Sequence, residues 1–229
     1  MSELVFDCIG AEADRWAAAP TLVFTLRIAE TTGEGIGGIA LRCQFRIEPV
    51  KRRYSDEEAE RIGDLFGERP RWGDTMKPLQ FANVAQMVPA FKGSIDLDVP
   101  VPLTYDFDVA TAKYFHGLDD GEIPFIILFS GTMFLKGENG LSIEQVPWHK
   151  ETNYRLPVSV WREAMDVHFP NSTWLRLGRD TLDNLMRFRK RLTFPTWDDT
   201  FEALLRIAGE PTPPTNGRPT PGPVGEVAS

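Results

Sequence analysis

From Ile95 to Val109 every second residue is apolar or aromatic: Ile95, Leu97, Val99, Val101, Leu103, Tyr105, Phe107 and Val109. The positions between them hold Asp96, Asp98, Pro100, Pro102, Thr104, Asp106 and Asp108. Side chains alternate between the two faces of a strand, so this pattern predicts a strand with one buried and one wet face. Proline cannot donate to a ladder, which puts this strand at a sheet edge or breaks it near its middle. A half-buried strand needs a second apolar layer to cover it, and the rest of the chain has to supply that layer.

Other segments supply it. Thr21 to Ile28 is dense in β-branched and aromatic residues, as strands are. Leu41, Cys43, Phe45 and Ile47 alternate with Arg42, Gln44, Arg46 and Glu48, a second half-buried strand. Thr32-Gly33-Glu34-Gly35 between them reads as a hairpin connection. Pro124 to Leu135 and Leu141 to Val146 read as two more strands, paired as a hairpin through Gly137-Glu138-Asn139-Gly140. Long antiparallel strands with alternating faces predict a two-sheet sandwich.

Helices interrupt and follow the strands. Ser55-Asp56-Glu57-Glu58 has the form of a capping box, and Ile62, Leu65 and Phe66 give the helix after it an apolar stripe. Gly67 to Pro78, with Trp72 inside it, reads as a loop. Pro157 suits a first helical position, with Val160, Trp161, Ala164, Met165 and His168 at helical spacing and Pro170-Asn171 as the stop. Asp180 can cap a second late helix carrying Leu182, Leu185, Met186 and Phe188. Thr196 can cap a third, with Asp199 in its first turn and Phe201, Leu204, Leu205 and Ala208 on one side. The expected fold is α+β: an antiparallel β-sandwich-like sheet region with a C-terminal helical region packed on it. A single domain is expected over 1–209, mainly strands over 1–150 and mainly helices over 151–209. Residues 210–229 are rich in Pro and Gly and too poor in apolar residues to offset ordering entropy, so a disordered tail is expected there.

Charge narrows the range of partners. A net charge of −8 gives no global field that attracts nucleic acid or anionic lipid. No window approaches the roughly 20 continuous apolar residues of a membrane helix. The chain opens on the strand-like Leu4-Val5-Phe6 instead of a basic region and a long apolar run. A soluble, cytoplasmic protein without membrane insertion or nucleic-acid binding is expected. Cys8 and Cys43 both fall in strand-like segments and read as buried thiols; a disulfide requires those strands to pair.

The search for chemistry finds little. His116, His149 and His168 share no metal-ligand spacing. Gly33, Gly35, Gly37 and Gly38 lack the following Lys-Ser or Lys-Thr and the helix that a phosphate loop requires, and read as hairpin glycines. Ser130 lacks the flanking glycines of a nucleophile elbow and reads as a small residue in a buried strand. Asp96, Asp98, Asp106 and Asp108 lie along an extended segment of roughly 40 Å at about 3.3 Å per residue, which does not converge on a cation. They read as a solvated edge that resists aggregation. No catalytic residue, cofactor or metal is assigned.

Basic residues cluster twice. Arg187, Arg189, Lys190 and Arg191 end a helix, where positive charge complements the dipole. Lys51, Arg52 and Arg53, with Tyr54, Arg69, Arg71 and Trp72, form a candidate cationic and aromatic patch for an acidic protein partner. If that patch is a surface, replacing Arg52, Arg53 and Trp72 weakens partner capture without unfolding the protein.

The C-terminal third reads Tyr154-Arg155-Leu156-Pro157-Val158, Val160-Trp161-Arg162-Glu163-Ala164-Met165, Phe169-Pro170-Asn171-Ser172 and Trp174-Leu175-Arg176-Leu177. With Phe194-Pro195-Thr196-Trp197 and Phe201 to Leu205, this resembles an uncharacterised bacterial domain family, mainly actinobacterial, whose genes lie in nickel–iron hydrogenase clusters. The resemblance covers nearly the whole chain except the tail. It implies a role in assembly, maturation or support of a hydrogenase, with a hydrogenase subunit or maturation factor as partner. It carries over no catalytic residue. The two cysteines cannot by themselves hold a four-Cys iron–sulfur cluster, so an electron-transfer subunit of that kind is excluded. Trp161, Phe169, Trp174 and Trp197 are expected to lock helices against a sheet. Two other readings stand beside the accessory protein. Thr193 to Leu205 is similar to the tail of a bacterial export chaperone, which suggests a holdase with a client groove. An enzyme would need a site assembled from His116, His149 and nearby carboxylates in a deep pocket.

Overall fold

The computed structural model describes residues 3–103, 109–137, 140–170 and 177–211. The chain divides into two compact units, Met1–Ser172 and Thr173–Ser229.

Among the described residues, the first unit is built on nine strands: β1 (Leu4–Ala13), β2 (Thr21–Glu30), β3 (Gly35–Ile47), β4 (Leu79–Val88), β5 (Phe91–Lys92), β6 (Ser94–Pro102), β7 (Glu122–Gly137), β8 (Gly140–Gln145) and β9 (Glu151–Pro157). They form two antiparallel sheets. The smaller has three strands in the order β1-β2-β6. The larger has six, in the order β4-β3-β7-β8, with β5 also beside β3 and β9 also beside β7. The inner faces meet through aromatic rings. Phe6 stacks on Phe129 with centroids 4.3 Å apart, and Phe24 reaches Phe45 at 4.7 Å and Phe125 at 5.8 Å. These rings and the aliphatic residues beside them on β2, β3 and β7 are almost fully buried. This is the expected α+β fold with a two-sheet β-sandwich.

Several local expectations change. The connection Thr32–Gly35 is not a hairpin, because β2 and β3 belong to different sheets. Each strand has one apolar face, and crossing the sandwich lets those faces cover each other. Glu30 shapes the crossing: its carboxylate accepts from the Thr32 N–H at 2.9 Å and the Gly33 N–H at 2.7 Å, and Gly33 sits at φ 85°. The Thr32 side chain and these amides hold the Glu30 carboxyl below its usual range. Gly35, Gly37 and Gly38 lie within β3, where the register with β7 shifts between Ile36 and Gly38.

The strand expected over Ile95–Val109 is shorter. β6 is an edge strand, with Pro100 and Pro102 exposed, and it stops at Pro102. The Leu103 N–H turns to the Pro20 carbonyl at 2.7 Å. Thr104, Tyr105, Phe107, Asp106 and Asp108 lie outside the described residues, and Val109 begins a helix, α3 (Val109–His116), after α1 (Asp56–Phe66) and α2 (Trp72–Thr75). Asp96 pairs with Arg27 on β2 through two bonds of 2.7 Å, and Asp98 accepts from the Thr25 hydroxyl at 2.9 Å. Both are exposed, as a solvated edge requires.

β7 and β8 form the expected hairpin; Glu138 and Asn139 of its turn lie outside the described residues. Ser130 is exposed on β7, opposite Arg42, and not buried. The region 151–209 does not start as helix: β9 pairs with β7 from Glu122↔Pro157 to Leu128↔Glu151. Pro157 then caps α4 (Val158–His168) from outside. Trp161 on α4 is buried and lies 5.0 Å from Phe115 of α3, and Phe169 packs against the same core. Trp174 and Asn171 lie outside the described residues. The stretch 67–78 contains α2 after a short 3-10 turn, and Trp72 is buried there.

Cys8 and Cys43 are unpaired and buried, on strands of different sheets. Burial pushes both thiols up to about 12. The native protein is therefore expected to show no thiol reaction with a disulfide reagent at pH 8, with both groups reacting after denaturation; rapid native reaction of either would contradict its burial.

The second unit holds α5 (Arg179–Arg191) and α6 (Trp197–Ala208). Asp180 does not cap α5: Gly178 occupies the cap and Asp180 sits in the first turn. Thr196 does cap α6 in a capping box with Asp199. Trp197 stacks on Phe201 at 6.0 Å within this unit. Residues 212–229, most of the expected tail, lie outside the described residues. No helix among the described residues is long and apolar enough to cross a membrane.

Candidate partner-binding surface

β3 ends at Ile47 and the chain turns through a short 3-10 segment, Pro49–Lys51. The next residues run extended into the capping box that starts α1. Ser55 accepts from the Glu58 N–H at 3.1 Å, and the Glu58 carboxylate accepts in return from the Ser55 N–H at 3.1 Å. The sequence reveals this cap. It does not reveal that the same carboxylate is the partner of a buried arginine.

Arg52 Nη2 donates to Glu58 Oε1 at 2.5 Å, with both side chains almost completely buried, at 7% and 5% exposure. The guanidinium also donates to the carbonyls of Asp120 at 2.8 Å and Glu122 at 3.0 Å. Glu58 accepts in addition from the Asp119 N–H at 2.9 Å. One ion pair thus joins the segment before α1, α1 itself and the loop before β7. Gly121 belongs to this fit: a Cβ there would sit 3.1 Å from Arg52 Nη1.

The aromatic members of the candidate patch are structural. Tyr54 is buried, donates to the Pro49 carbonyl at 2.7 Å and shares a 2.8 Å hydroxyl contact with Tyr114 of α3. Burial pushes both phenols up, Tyr114 to about 12. Trp72 lies edge-on to Tyr54 at 5.3 Å, and its indole N–H donates to the Gly67 carbonyl at 2.8 Å. Arg69 covers that indole at 5.7 Å, donates to the Tyr54 carbonyl at 2.6 Å and pairs with Asp56. Arg71 is exposed.

What faces solvent is a groove of about 920 Å³. Lys51, Arg52, Arg53 and Arg155 contribute to its walls, and so do Glu57, Glu58, Asp119, Asp120 and Glu122. The cationic and aromatic patch expected from the sequence is therefore corrected: acids line the groove as well, Glu57 and Glu58 from α1 and Asp119, Asp120 and Glu122 from a loop remote in sequence, and the rings are turned inward. Arg69 and Trp72 line a separate depression of about 450 Å³ along α1. Lys51 pairs with Glu48 at 2.5 Å, and Arg155 approaches Glu122 at 4.0 Å. Arg53, Glu57 and Asp120 form no ion pair among the described residues.

The three histidines are placed separately. His116 ends α3 with its ring 5.1 Å from Trp161, and burial lowers its pKa. His149 follows the exposed Trp148 between β8 and β9, and His168 ends α4. Among the described residues, no three His, Cys, Asp or Glu side chains group as metal ligands.

Fold and surface define a class: a two-sheet antiparallel sandwich with added helices and open surface grooves. The chain belongs to the family of unknown function DUF6084, whose model matches residues 1–213. No curated protein matches the sequence. Among solved structures, a CARDB domain from Pyrococcus furiosus in complex with di-metal ions is 8% identical, with 68% of this chain and 86% of that chain covered and a TM-score of 0.27. An ApaA-type protein from Bordetella pertussis is 14% identical, with 68% and 93% covered and a TM-score of 0.28. Beta-glucosidase 3B from Thermotoga neapolitana, in complex with alpha-D-glucose, is 10% identical, with 67% and 17% covered and a TM-score of 0.25. Likenesses this distant carry no function to this chain.

Proposed function

We propose that this protein is a non-enzymatic cytoplasmic accessory protein that docks on a protein partner through the groove beside α1. The observation that carries this reading is the buried Arg52–Glu58 pair. It fixes three chain segments and so presents Arg53, Glu57 and Asp120 at set positions with no internal ion pair among the described residues. A preorganised surface of mixed charge loses little entropy on binding and selects partners by electrostatic complementarity. The buried polar groups beneath it are already engaged in holding the fold, as Tyr54 is with Tyr114. The partner is proposed to be a nickel–iron hydrogenase subunit or maturation factor, on the strength of the C-terminal sequence resemblance.

The surface test must avoid Arg52 and Trp72, whose loss would disturb the fold. Arg53→Glu combined with Asp120→Arg changes exposed groups only. It is expected to weaken partner capture about tenfold or more while leaving the melting temperature unchanged. Unchanged capture would remove the groove from the proposal.

One observation favours a holdase. The helical unit exposes Leu182, Met186, Leu205 and Ile207, at 38%, 53%, 40% and 66%. Capture of many unrelated nascent chains, insensitive to the groove variant, would favour that reading.

A further inference from the structure

The turn after α5 carries a second surface with its own chemistry. The Thr193 N–H donates to the Lys190 carbonyl at 3.3 Å and the Phe194 N–H to the Arg189 carbonyl at 3.1 Å. This pair of bonds is a Schellman motif, and its usual hydrophobic contact is present as Phe188 against Phe194, with centroids 6.1 Å apart. The motif needs a left-handed residue just past the helix, normally glycine. Here it is Thr193 at φ 55°, the one non-glycine residue with positive φ among the described residues. A β-branched residue is strained in that conformation.

Thr193 lines a cavity of about 520 Å³. Met186, Phe194 and Trp197 supply its apolar surface, and Arg187, Arg189 and Lys190 its charge, with no carboxylate among the lining residues. Arg189 is already committed: it donates to the Phe194 and Pro195 carbonyls and lies over the Trp197 ring at 5.1 Å. The Arg187 and Lys190 side chains are exposed and make no ion pair or hydrogen bond among the described residues. Two unneutralised cations therefore stand beside an apolar recess in a chain whose net charge is −8.

We infer that this cavity binds an acidic segment of a partner protein that presents one aromatic or leucine-sized side chain flanked by carboxylates. The apolar side chain occupies the recess formed by Met186, Phe194 and Trp197. Its neighbouring carboxylates pair with Arg187, whose planar fork suits bidentate contact, and with Lys190. Thr193 stands where glycine would be less strained because its side chain forms part of the wall, a local conflict of the kind found at binding sites. This surface is distinct from the groove beside α1, so the two can fail independently.

The test uses the full chain and a fluorescein-Glu-Glu-Phe-Glu-Glu-amide peptide, labelled at its N-terminal amine and followed by anisotropy. Saturable binding is expected, weakened by salt and reduced at least about tenfold when glutamine replaces every glutamate in the peptide. Arg187→Glu with Lys190→Glu, both at exposed positions, is expected to reduce affinity by about tenfold or more; reversing the charge that complements the dipole at the end of α5 also lowers the melting temperature by a few degrees, so binding is compared well below the transition. Thr193→Gly is expected to raise the melting temperature and weaken binding together. No saturation by about 1 mM peptide, equal affinity for the glutamine peptide, or full affinity in the charge-reversed variant overturns the proposal.

Discussion

Glu58→Ala is expected to destabilise the protein by about 3–5 kcal/mol, the range for removing one partner of a buried ion pair. The carboxylate accepts from Arg52, from the Ser55 N–H and from the Asp119 N–H. Its loss leaves the Arg52 guanidinium uncompensated at 7% exposure and opens the capping box of α1. The box alone contributes about 1 kcal/mol. Thermal denaturation should show a fall on the order of 10 °C. Glu58→Gln keeps an acceptor for the cap while discarding the charge, so it should fall between the native protein and the alanine variant. A loss under about 1 kcal/mol for Glu58→Ala would mean that the pair is solvated, as exposed pairs are, and would remove the rigid frame on which the proposed docking surface depends.

Gly131→Ala is expected to cost about 3 kcal/mol or more, the range of severe steric and backbone conflicts. Gly131 lies opposite Leu41 in the ladder between β7 and β3, at φ 151°. A Cβ there would sit 2.2 Å from the Ala40 carbonyl oxygen and 3.1 Å from the Leu41 Cα. These are backbone atoms of the paired strand, so relief requires the strands to separate locally. The position also sits where the far edge of β7 changes partner, from β9 at Glu122–Leu128 to β8 at Thr132–Gly137. The control is Gly33→Ala, at φ 85° with nothing within 4 Å of the added atom. It should cost only about 1–2 kcal/mol of left-handed strain. Equal, small losses at both positions in urea denaturation would contradict the packing at Gly131.

What the sequence reveals follows from how local each signal is. Alternation finds β3 and, in the first half of the run Ile95–Val109, β6; β-branched and aromatic density finds β2; and a capping box needs only its own four positions, so α1 and α6 start where expected. The same alternation overruns the edge strand, because Val109 keeps the phase while beginning α3. β9 carries its own period, with Thr152, Tyr154 and Leu156 toward the core, but the helical spacing after Pro157 masks it. Sheet membership is not local at all. Nothing within Thr32–Gly35 distinguishes a hairpin from a crossing, since the choice depends on which apolar face each flanking strand must cover. The candidate surface was legible as a cluster of charges and illegible as geometry. Lys51, Arg52 and Arg53 are adjacent in sequence, yet only Arg52 turns inward. Its ion-pair partner Glu58 is near in sequence, but the carbonyls of Asp120 and Glu122 that also hold it, and the side chains of Asp119, Asp120 and Glu122 that share the groove, come from a loop that no spacing rule connects to Arg52.

The proposed accessory role joins two lines of support that differ in kind. The fixed surface around Arg53, Glu57 and Asp120 supports docking, and the resemblance of the C-terminal motif supports the identity of the partner. Capture of the tagged protein from its native host, with mass spectrometry of what co-purifies, tests both together. The expected result is recovery of hydrogenase subunits or maturation factors, lost when the hydrogenase genes are deleted and reduced by Arg53→Glu with Asp120→Arg. Recovery of no hydrogenase component from cells that express the enzyme would contradict the account.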